Sequence, residues 1–205
     1  MILVLDQWSK IYIKTNFTYG ESIHVLGSWF QLCFIENEGM AFGMKIMDSS
    51  TGKLILTLFR LVAVSFGFYW IRSFIKKGAT NGLIIFGSLI LAGAAGNLID
   101  SIFYGKIFTE SYGDQVAVLV PWGQGYGDLL HGKVVDMLYF PMIDTVWPEW
   151  VPIVGGNRLR FFEPIFNVAD VAISTGIITL LVFQKRFIPQ PTVEKKSNQE
   201  TNSEN

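Results

Sequence analysis

The stretch GLIIFGSLILAGAAGNLID, residues 82–100, decides the fold of this chain. It contains no charged side chain until its last position, Asp100. A helix needs about 20 mostly apolar residues to cross the hydrocarbon core of a bilayer, and this stretch has that length. It therefore predicts a membrane-spanning helix that ends on a carboxylate.

Three further stretches extend this prediction to a bundle. Residues 54–72 are apolar but contain Arg60, and residues 165–184 are interrupted only by Asp170. Residues 1–14 are the fourth candidate, although they are short and carry charged side chains. Either this first helix is half-length or the chain starts downstream of its true beginning, and we favour the second alternative. The predicted fold is a membrane all-α core, a four-transmembrane-helix bundle.

The composition agrees with a small membrane protein that crosses the bilayer several times. Half of the 205 residues are hydrophobic and only 16% are charged, which is unlike an ordinary soluble domain. The net charge of −1 provides no basic field for nucleic acid. The single cysteine, Cys33, excludes an internal disulfide and a metal site made of several cysteines.

Positive side chains predict the orientation of the bundle. The link between the second and third spans holds Arg72, Lys76 and Lys77, and Lys185 and Arg186 directly follow the last span. Loops rich in lysine and arginine are typical of the cytoplasmic side. Both termini are therefore expected to be cytoplasmic.

The two outer segments follow from this orientation. Residues 15–53 and 101–164 are expected to lie outside and to build a small extracytoplasmic β-rich subdomain. Residues 1–188 then form one integral-membrane domain. Residues 189–205 are polar, without apolar content, and are expected to be a disordered cytoplasmic tail.

Charged side chains fall at one depth in this topology. Asp6 lies about two turns before the outer end of the first helix, and Arg60 about two turns into the second. Asp100 ends the third helix, and Asp170 lies in the first two turns of the fourth. Acids inside a membrane are rare and usually functional, so these groups predict a site in the outer leaflet. The alternative is a polar network that only holds the helices together.

A fourth acid, Asp136, is predicted to join this site. Residues 132–140 are too short to span, are followed by Pro141 and are expected to be an extended or broken segment at the membrane surface. Two carboxylates held close together share one proton, because like charges disfavour double ionisation. The ionised member can activate water while the protonated member donates to a scissile carbonyl. This is aspartyl-protease chemistry, which needs no metal.

Amide side chains accompany two of these acids. Asn97 precedes Asp100 by three positions, and Asn167 precedes Asp170 by the same spacing. Residues three apart share a helix face, so each amide can hydrogen-bond the carboxylate or a substrate.

Other hydrolytic sites are poorly supported by the sequence. His24 and His131 are the only histidines and no H-E-x-x-H string occurs, which argues against a zinc protease. Ser9 and Lys10 are adjacent and point to different helix faces. The string Gly125-Tyr126-Gly127-Asp128 matches the G-x-G-D motif of another class of intramembrane aspartyl protease, but it is predicted to lie in a loop rather than in a span.

A non-enzymatic alternative stays open at this point. Carboxylates in a membrane can also relay protons or bind a cation, in a transporter or a lipid-binding protein. Transporters usually have access from both sides and often repeated halves. The polar residues here are predicted to cluster in one leaflet, and no repeat is visible.

Taken together, five strings of this chain resemble the motifs of bacterial lipoprotein signal peptidases, the aspartyl peptidases of the inner membrane. The resemblance covers nearly the whole chain up to about residue 187. In order, the strings are DQWSK at 6–10, NEGMAFG at 37–43, GAAGNLID at 93–100, GKVVD at 132–136 and FNVAD at 166–170.

The resemblance implies a function and a set of site residues. Members of the family remove the signal peptide of diacylglyceryl-modified prolipoproteins and cut just before the lipidated cysteine. Their catalytic pair lies on the fourth and fifth motifs, which implies Asp136 and Asp170. No metal or other cofactor and no nucleic-acid partner is implied, and membrane lipid surrounds the enzyme. The residues implied to bind substrate or support the site are Asp6, Lys10, Asn37, Gly39, Asn97, Asp100 and Asn167.

Two departures from the family pattern bear on the site. The third motif usually ends in Asp-Arg, whereas Ser101 follows Asp100 here, and Arg60 is a candidate to replace the missing arginine. Residues 104–131 and 141–164 look inserted relative to compact members. They contain several Trp, Gly and Pro residues and are expected to border the mouth of the site.

Overall fold

The computed structural model describes residues 1–38 and 50–187, which form a helical bundle with an attached antiparallel sheet. The helices are α1 (Ile2–Asn16), α2 (Ser50–Lys76), α3 (Asn81–Ile99), α4 (Gly105–Ile107), α5 (Val168–Val182) and α6 (Gln184–Phe187). A π-helical turn at Asp100–Tyr104 joins α3 to α4 without a break.

Two of the described helices are long and apolar enough to cross a membrane. They are α2 and the continuous helical stretch Asn81–Ile107, each 27 residues long. α5 is apolar but spans only 15 residues, and α1 has the same length. Of the four predicted membrane helices, two reach spanning length in the described residues, and the count of four stays a prediction.

Helix α3 packs closely against α5 because small residues face each other. A Cβ atom built on Gly93 would lie 2.3 Å from the carbonyl oxygen of Ala169, so only glycine allows this approach. A Cβ on Gly96 would lie 2.5 Å from Asp6 Oδ2 on α1. The GAAG string therefore lets two helices, α1 and α5, come close to the same face of α3.

A four-stranded antiparallel sheet covers one end of the bundle. In spatial order its strands are β1 (Ser22–Leu26), β2 (Phe30–Asn37), β3 (Val134–Tyr139) and β6 (Ile165–Phe166). The register places Ile35 of β2 opposite Asp136 of β3. The predicted β-rich part is therefore present, and the predicted extended segment around Asp136 is an inner strand.

A second, two-stranded sheet occupies part of the inserted residues 141–164. Its strands, β4 (Ile143–Val146) and β5 (Arg158–Phe161), pair antiparallel as a hairpin. The residues after β5 lead directly into β6 and then into α5. The hairpin therefore connects two strands of the main sheet, β3 and β6.

A hydrophobic core joins the end of α1 to the sheet. Residues from α1, β2, β3 and the helical stretch after α3 bury their side chains together, which fixes the sheet relative to the bundle. The fully or nearly fully buried members are Ile13, Phe17, Phe34, Tyr104, Phe108, Val135 and Met137.

Several of these elements begin or end at residues other than the predicted span boundaries. The span predicted at 165–184 starts as strand β6, and the helix begins only at Val168 because Asn167 caps it. The helix predicted at 82–100 continues to Ile107, so the outer segment predicted at 101–164 begins as helix. The helix predicted at 54–72 extends over Ser50–Lys76. The predicted tail, 189–205, lies outside the described residues.

Candidate active site

Strand β3 presents Asp136 to the bundle with both carboxylate oxygens occupied. Oδ1 accepts a hydrogen bond of 2.7 Å from Asn167 Nδ2, and Oδ2 accepts one from Asn37 Nδ2. The residue is only 5% exposed. Asn37 ends strand β2, so two strands and the start of α5 meet at this carboxylate.

Asp170 is fixed by the capping of its own helix. Asn167 is the N-cap of α5: its side-chain oxygen accepts a hydrogen bond from the Asp170 amide at 3.0 Å. Asp170 Oδ2 in turn accepts from the Asn167 amide at 3.2 Å, which completes a capping box. Asp170 Oδ1 accepts from Asn97 Nδ2 at 2.9 Å. The FNVAD string is thus a helix start that aims a carboxylate.

Asn97 and Asn167 connect the two acids to each other. Asn167 Nδ2 lies 3.1 Å from Asn97 Oδ1 as well as 2.7 Å from Asp136 Oδ1. Asn97 then reaches Asp170 with its own amide nitrogen. Because an amide both donates and accepts, these two side chains form a continuous bridge between the carboxylates.

Lys10 anchors this bridge from the first helix. Its ammonium group is completely buried and has three acceptors, the number that an ammonium can satisfy. These are Asp6 Oδ2 at 2.9 Å, Asp100 Oδ2 at 2.8 Å and Asn97 Oδ1 at 2.7 Å. One cation therefore compensates two buried carboxylates and orients the amide that holds Asp170.

Asp6 and Asp100 receive further donors from neighbouring elements. Asp6 Oδ1 accepts from the Ala169 amide at 2.9 Å, which ties α1 to the first turn of α5. Gln7 Nε2 donates to Asp100 Oδ1 at 2.8 Å. In the described part of the chain every fully buried side-chain nitrogen or oxygen has a hydrogen-bond partner. Such complete satisfaction holds a polar network in one arrangement.

A cavity of about 860 Å³ opens beside the two acids. Asp136 and Asp170 both line it, together with the amides Asn37 and Asn97 and the guanidinium of Arg60. Most of the remaining wall is apolar. Residues that contribute to it include Phe59, Ala63, Val64, Ala94, Pro164 and Ile173.

The surroundings of Asp136 favour its protonated form. Burial, which disfavours the anion, and the nearby charge of Asp170 raise the pKa of Asp136 to about 7, against the opposing hydrogen bond from Asn167. Asp136 therefore keeps its proton at a pH below about 7.

The structure brings together most of the residues singled out from the sequence. Asp6, Lys10, Asn97, Asp100 and Asn167 form one network with the two acids, and Asn37 joins it at Asp136. Gly39 lies outside the described residues. Arg60, the candidate to replace a missing arginine, lines the cavity and donates to Ser101 Oγ at 3.4 Å.

The G-x-G-D string and most of the inserted residues lie away from the cavity. Asp128 of the G-x-G-D string is exposed and pairs with Lys106 at 2.9 Å, which lowers the pKa of Asp128; it does not line the cavity. The inserted residues 104–131 supply none of the described residues that line the cavity. The end of the other insertion supplies Glu163 and Pro164, so only this second segment borders the site.

Gln7 and Glu36 are residues that the sequence analysis missed. Gln7 contacts Asp100, and Glu36 lines the cavity next to Asn37. Both are adjacent to residues that were selected, which is a weak signal. For Glu36 a further signal was present: Lys14 lies four residues after Lys10 and so shares its helix face, a second buried cation that requires a carboxylate.

Two carboxyl groups bridged by the amides of Asn97 and Asn167 beside an apolar cavity are the arrangement expected of an aspartic peptidase. Residues 1–185 match the family model for signal peptidase (SPase) II. The chain belongs to the signal peptidase II family, and it is therefore an aspartic peptidase. This assignment decides against the transporter or lipid-binding alternative.

Curated relatives support the same family. The lipoprotein signal peptidase of Porphyromonas gingivalis is 48% identical over 189 residues, covering 92% of this chain and 81% of the relative. The lipoprotein signal peptidase of Amoebophilus asiaticus is 36% identical over 208 residues, covering 100% of this chain and 83% of the relative.

A solved structure shares the fold. The structure of a bacterial membrane enzyme superposes with a TM-score of 0.54 at 22% identity, covering 99% of this chain and 90% of that chain. The two chains therefore share a fold.

Proposed function

We propose that this enzyme removes the signal peptide from diacylglyceryl-modified prolipoproteins, cutting on the N-terminal side of the lipidated cysteine, with Asp136 and Asp170 as the catalytic pair. The observation that carries the proposal is that both acids line one cavity while Asn97 and Asn167 bridge them.

The two acids have different roles in the proposed step. Asp136, with its pKa raised to about 7, is the proton donor, and Asp170 is the base. Asp170 takes a proton from water, the resulting hydroxide attacks the scissile carbonyl carbon, and Asp136 gives its proton to the carbonyl oxygen. A tetrahedral diol forms and the two carboxyl groups exchange protonation states.

Collapse of the diol completes the reaction. The proton on Asp170 passes to the departing nitrogen of the cysteine while the carbon–nitrogen bond breaks. A hydroxyl proton of the diol returns to Asp136, which leaves a carboxylic acid at the end of the signal peptide. Both carboxyl groups are then in their starting protonation states, and neither forms a covalent bond with the substrate.

The cavity suits a substrate that is part peptide and part lipid. Its wall is apolar on the helix side, with Phe59, Val64 and Ile173, and polar beside strands β2 and β3. An apolar wall can accommodate acyl chains, while Asn37 and Arg60 give the cavity a polar part that suits a peptide.

We assign the remaining site residues to support of this pair. Lys10, with Asp6 and Asp100, orients Asn97; Asn37 and Asn167 hold Asp136. Gly39 is assigned to substrate contact from the second motif. Residues 1–188 act as one peptidase domain that requires no metal.

The proposed location is the inner membrane, with four spans and both termini in the cytoplasm. The sheet and the catalytic pair then face the extracytoplasmic leaflet, where a lipidated precursor is presented. The lysine and arginine residues between the second and third spans support this orientation.

A lipidation-dependent cleavage assay tests the function. The purified enzyme in liposomes is given a prolipoprotein in diacylglyceryl and unmodified forms, and product N-termini are identified by mass spectrometry. We expect cleavage only of the lipidated form, immediately before its cysteine. Equal cleavage of both forms, or a cut elsewhere, would refute the proposed substrate.

A further inference from the structure

A second buried lysine lies outside the catalytic network. Lys14 is on the same face of α1 as Lys10, one turn further along, and its side chain is completely buried. Its ammonium group forms an ion pair with Glu36 and donates to Ser111 Oγ at 2.9 Å. The mechanism proposed above makes no use of this cation. Burying a charge costs free energy unless the charge is paired with an opposite one.

Three aromatic rings enclose this ammonium group. The centroids of Phe34, Phe108 and Tyr126 lie 5.7, 5.3 and 5.2 Å from Lys14 Nζ. Cations are attracted to aromatic faces at such distances. Phe34 belongs to β2, whereas the other two rings and Ser111 belong to the inserted residues 104–131. The insertion thus encloses Lys14 instead of covering the cavity.

Glu36 connects this buried cation to the catalytic wall. It is the residue before Asn37 on strand β2, and it pairs in register with Val135, the residue before Asp136. Glu36 lines the cavity, yet its side chain is only 2% exposed because it turns toward Lys14. The ion pair with Lys14 therefore fixes Glu36 and restrains the next residue, Asn37, whose side-chain amide donates to Asp136.

We propose that Lys14, enclosed by the inserted residues 104–131, is a positioning residue that holds Glu36 and thereby keeps the Asn37 amide on Asp136. Lys14 also neutralises a carboxylate that would otherwise stand uncompensated on the cavity wall. The proposal rests on the proposed catalytic role of Asp136, and Lys14 itself does not touch the substrate.

If Lys14 neutralises Glu36, each variant should shift the pKa of Asp136 in a defined direction. A purely structural role would predict no such direction. Asp136 must be protonated to donate, so activity falls as pH rises through its pKa. Removing the ammonium leaves the negative Glu36 near Asp136, which raises that pKa further; removing the Glu36 charge leaves a positive Lys14, which lowers it. The other charged groups around Asp136 are unchanged in either variant. They are Lys10 on α1, Arg60 on α2, Asp170 on α5 and Glu163 on the cavity wall, with Asp100 and Lys133 near Lys14.

The test compares Lys14→Met, Glu36→Gln and the double variant in liposomes, using kcat, KM and the pH profile of kcat with a lipidated precursor. We expect Lys14→Met to lower kcat at least about tenfold with a smaller change in KM. The alkaline limb of its pH profile, where kcat falls, should move to higher pH by about half a pH unit or more. The limb of Glu36→Gln should move to lower pH. In the double variant the limb should return close to its wild-type position, because neither charge of the pair is left uncompensated. Its kcat should stay low, because the Lys14–Glu36 ion pair is absent.

The matched control is Lys106→Met, which removes the cation of the exposed pair with Asp128. It should leave kcat and the pH profile unchanged. If Lys14→Met fails to fold, Glu36→Gln alone still decides, because an unmoved limb overturns the proposal. Folded Lys14→Met with wild-type kcat, or a folded double variant whose limb stays displaced, also overturns it. An inactive wild type, or an active Asp136→Asn, would instead show that the proposed function fails.

Discussion

The side-chain amide of Asn167 lies 2.7 Å from Asp136 Oδ1, although the two residues are on different elements and 31 positions apart. The same Asn167 caps helix α5 and receives Asp170 in a reciprocal capping box. One residue therefore sets the position of both acids, and the geometry of the pair depends on how a helix begins.

Replacing Asn167 should damage catalysis as well as stability. Asn167→Ala removes one helix cap, worth about 1 kcal/mol, and also a hydrogen bond to the protonated carboxyl group of Asp136, worth about 0.5–1.5 kcal/mol. We expect kcat to fall at least about tenfold, since 1.36 kcal/mol corresponds to a factor of ten. Cleavage rate and melting temperature in detergent are the measurements.

Thr80→Ala is the matched control for this change. Thr80 caps α3 by accepting from the Leu83 amide and has no contact with the acids. It should also lower the melting temperature, by roughly 2–4 °C per kcal/mol of lost stability, while leaving kcat unchanged. Equal activity losses in the two variants would show that Asn167 acts only as a cap.

Arg60 is predicted to take the place of the arginine that the third motif lacks. It lines the cavity with both acids and donates to Ser101, the residue found where an arginine is usual. Arg60→Met should lower kcat about tenfold or more, because a cation beside two carboxyl groups stabilises the ionised one. Arg72→Met, on the same helix near its other end, should have no effect. Unchanged kcat in Arg60→Met would exclude this role.

The raised pKa of Asp136 predicts a pH-dependent contribution to stability. Its folded pKa, about 7, exceeds the unfolded value of about 4. Protonation therefore favours the folded state: this stabilisation is fully present below about pH 4 and is lost as pH rises through about 7. Melting temperatures of the wild type and Asp136→Asn, measured from pH 4 to 8, should diverge in this window. A constant difference across the series would contradict the raised pKa.

Much of this site could be predicted from local spacing in the sequence. The three-residue spacing of Asn167 and Asp170 indicated a shared helix face, and the structure adds that the pair is a capping box. The glycines at 93 and 96 indicated close packing, which the approach of α5 and Asp6 explains. The catalytic roles of Asp136 and Asp170 remain predictions.

Other features depended on contacts between distant segments. The apolar residues Ile165–Phe166 were predicted to continue the last helix. They form a strand instead, because they pair with β3. The π-helical turn after Asp100 has no sequence signature, and it carries the helix into what was expected to be a loop. The role of Lys14 depends on Phe108, Ser111 and Tyr126, almost 100 or more positions away.

Asp128 is predicted to be dispensable despite its G-x-G-D string. It is exposed, pairs with Lys106 and does not line the cavity. Asp128→Asn should change kcat by less than about threefold. A loss as large as that of a catalytic aspartate would place the reaction in the loop at residues 125–128.

The catalytic pair is tested most directly by the turnover of three variants in liposomes with a lipidated precursor. Asp136→Asn, Asp170→Asn and the double variant are compared with Asp128→Asn, which carries the same chemical change at an exposed position. We expect each single variant to abolish cleavage and the double variant to be no worse, because groups that act as a unit are not additive. Normal turnover by folded Asp136→Asn or Asp170→Asn would contradict the assignment of these two residues.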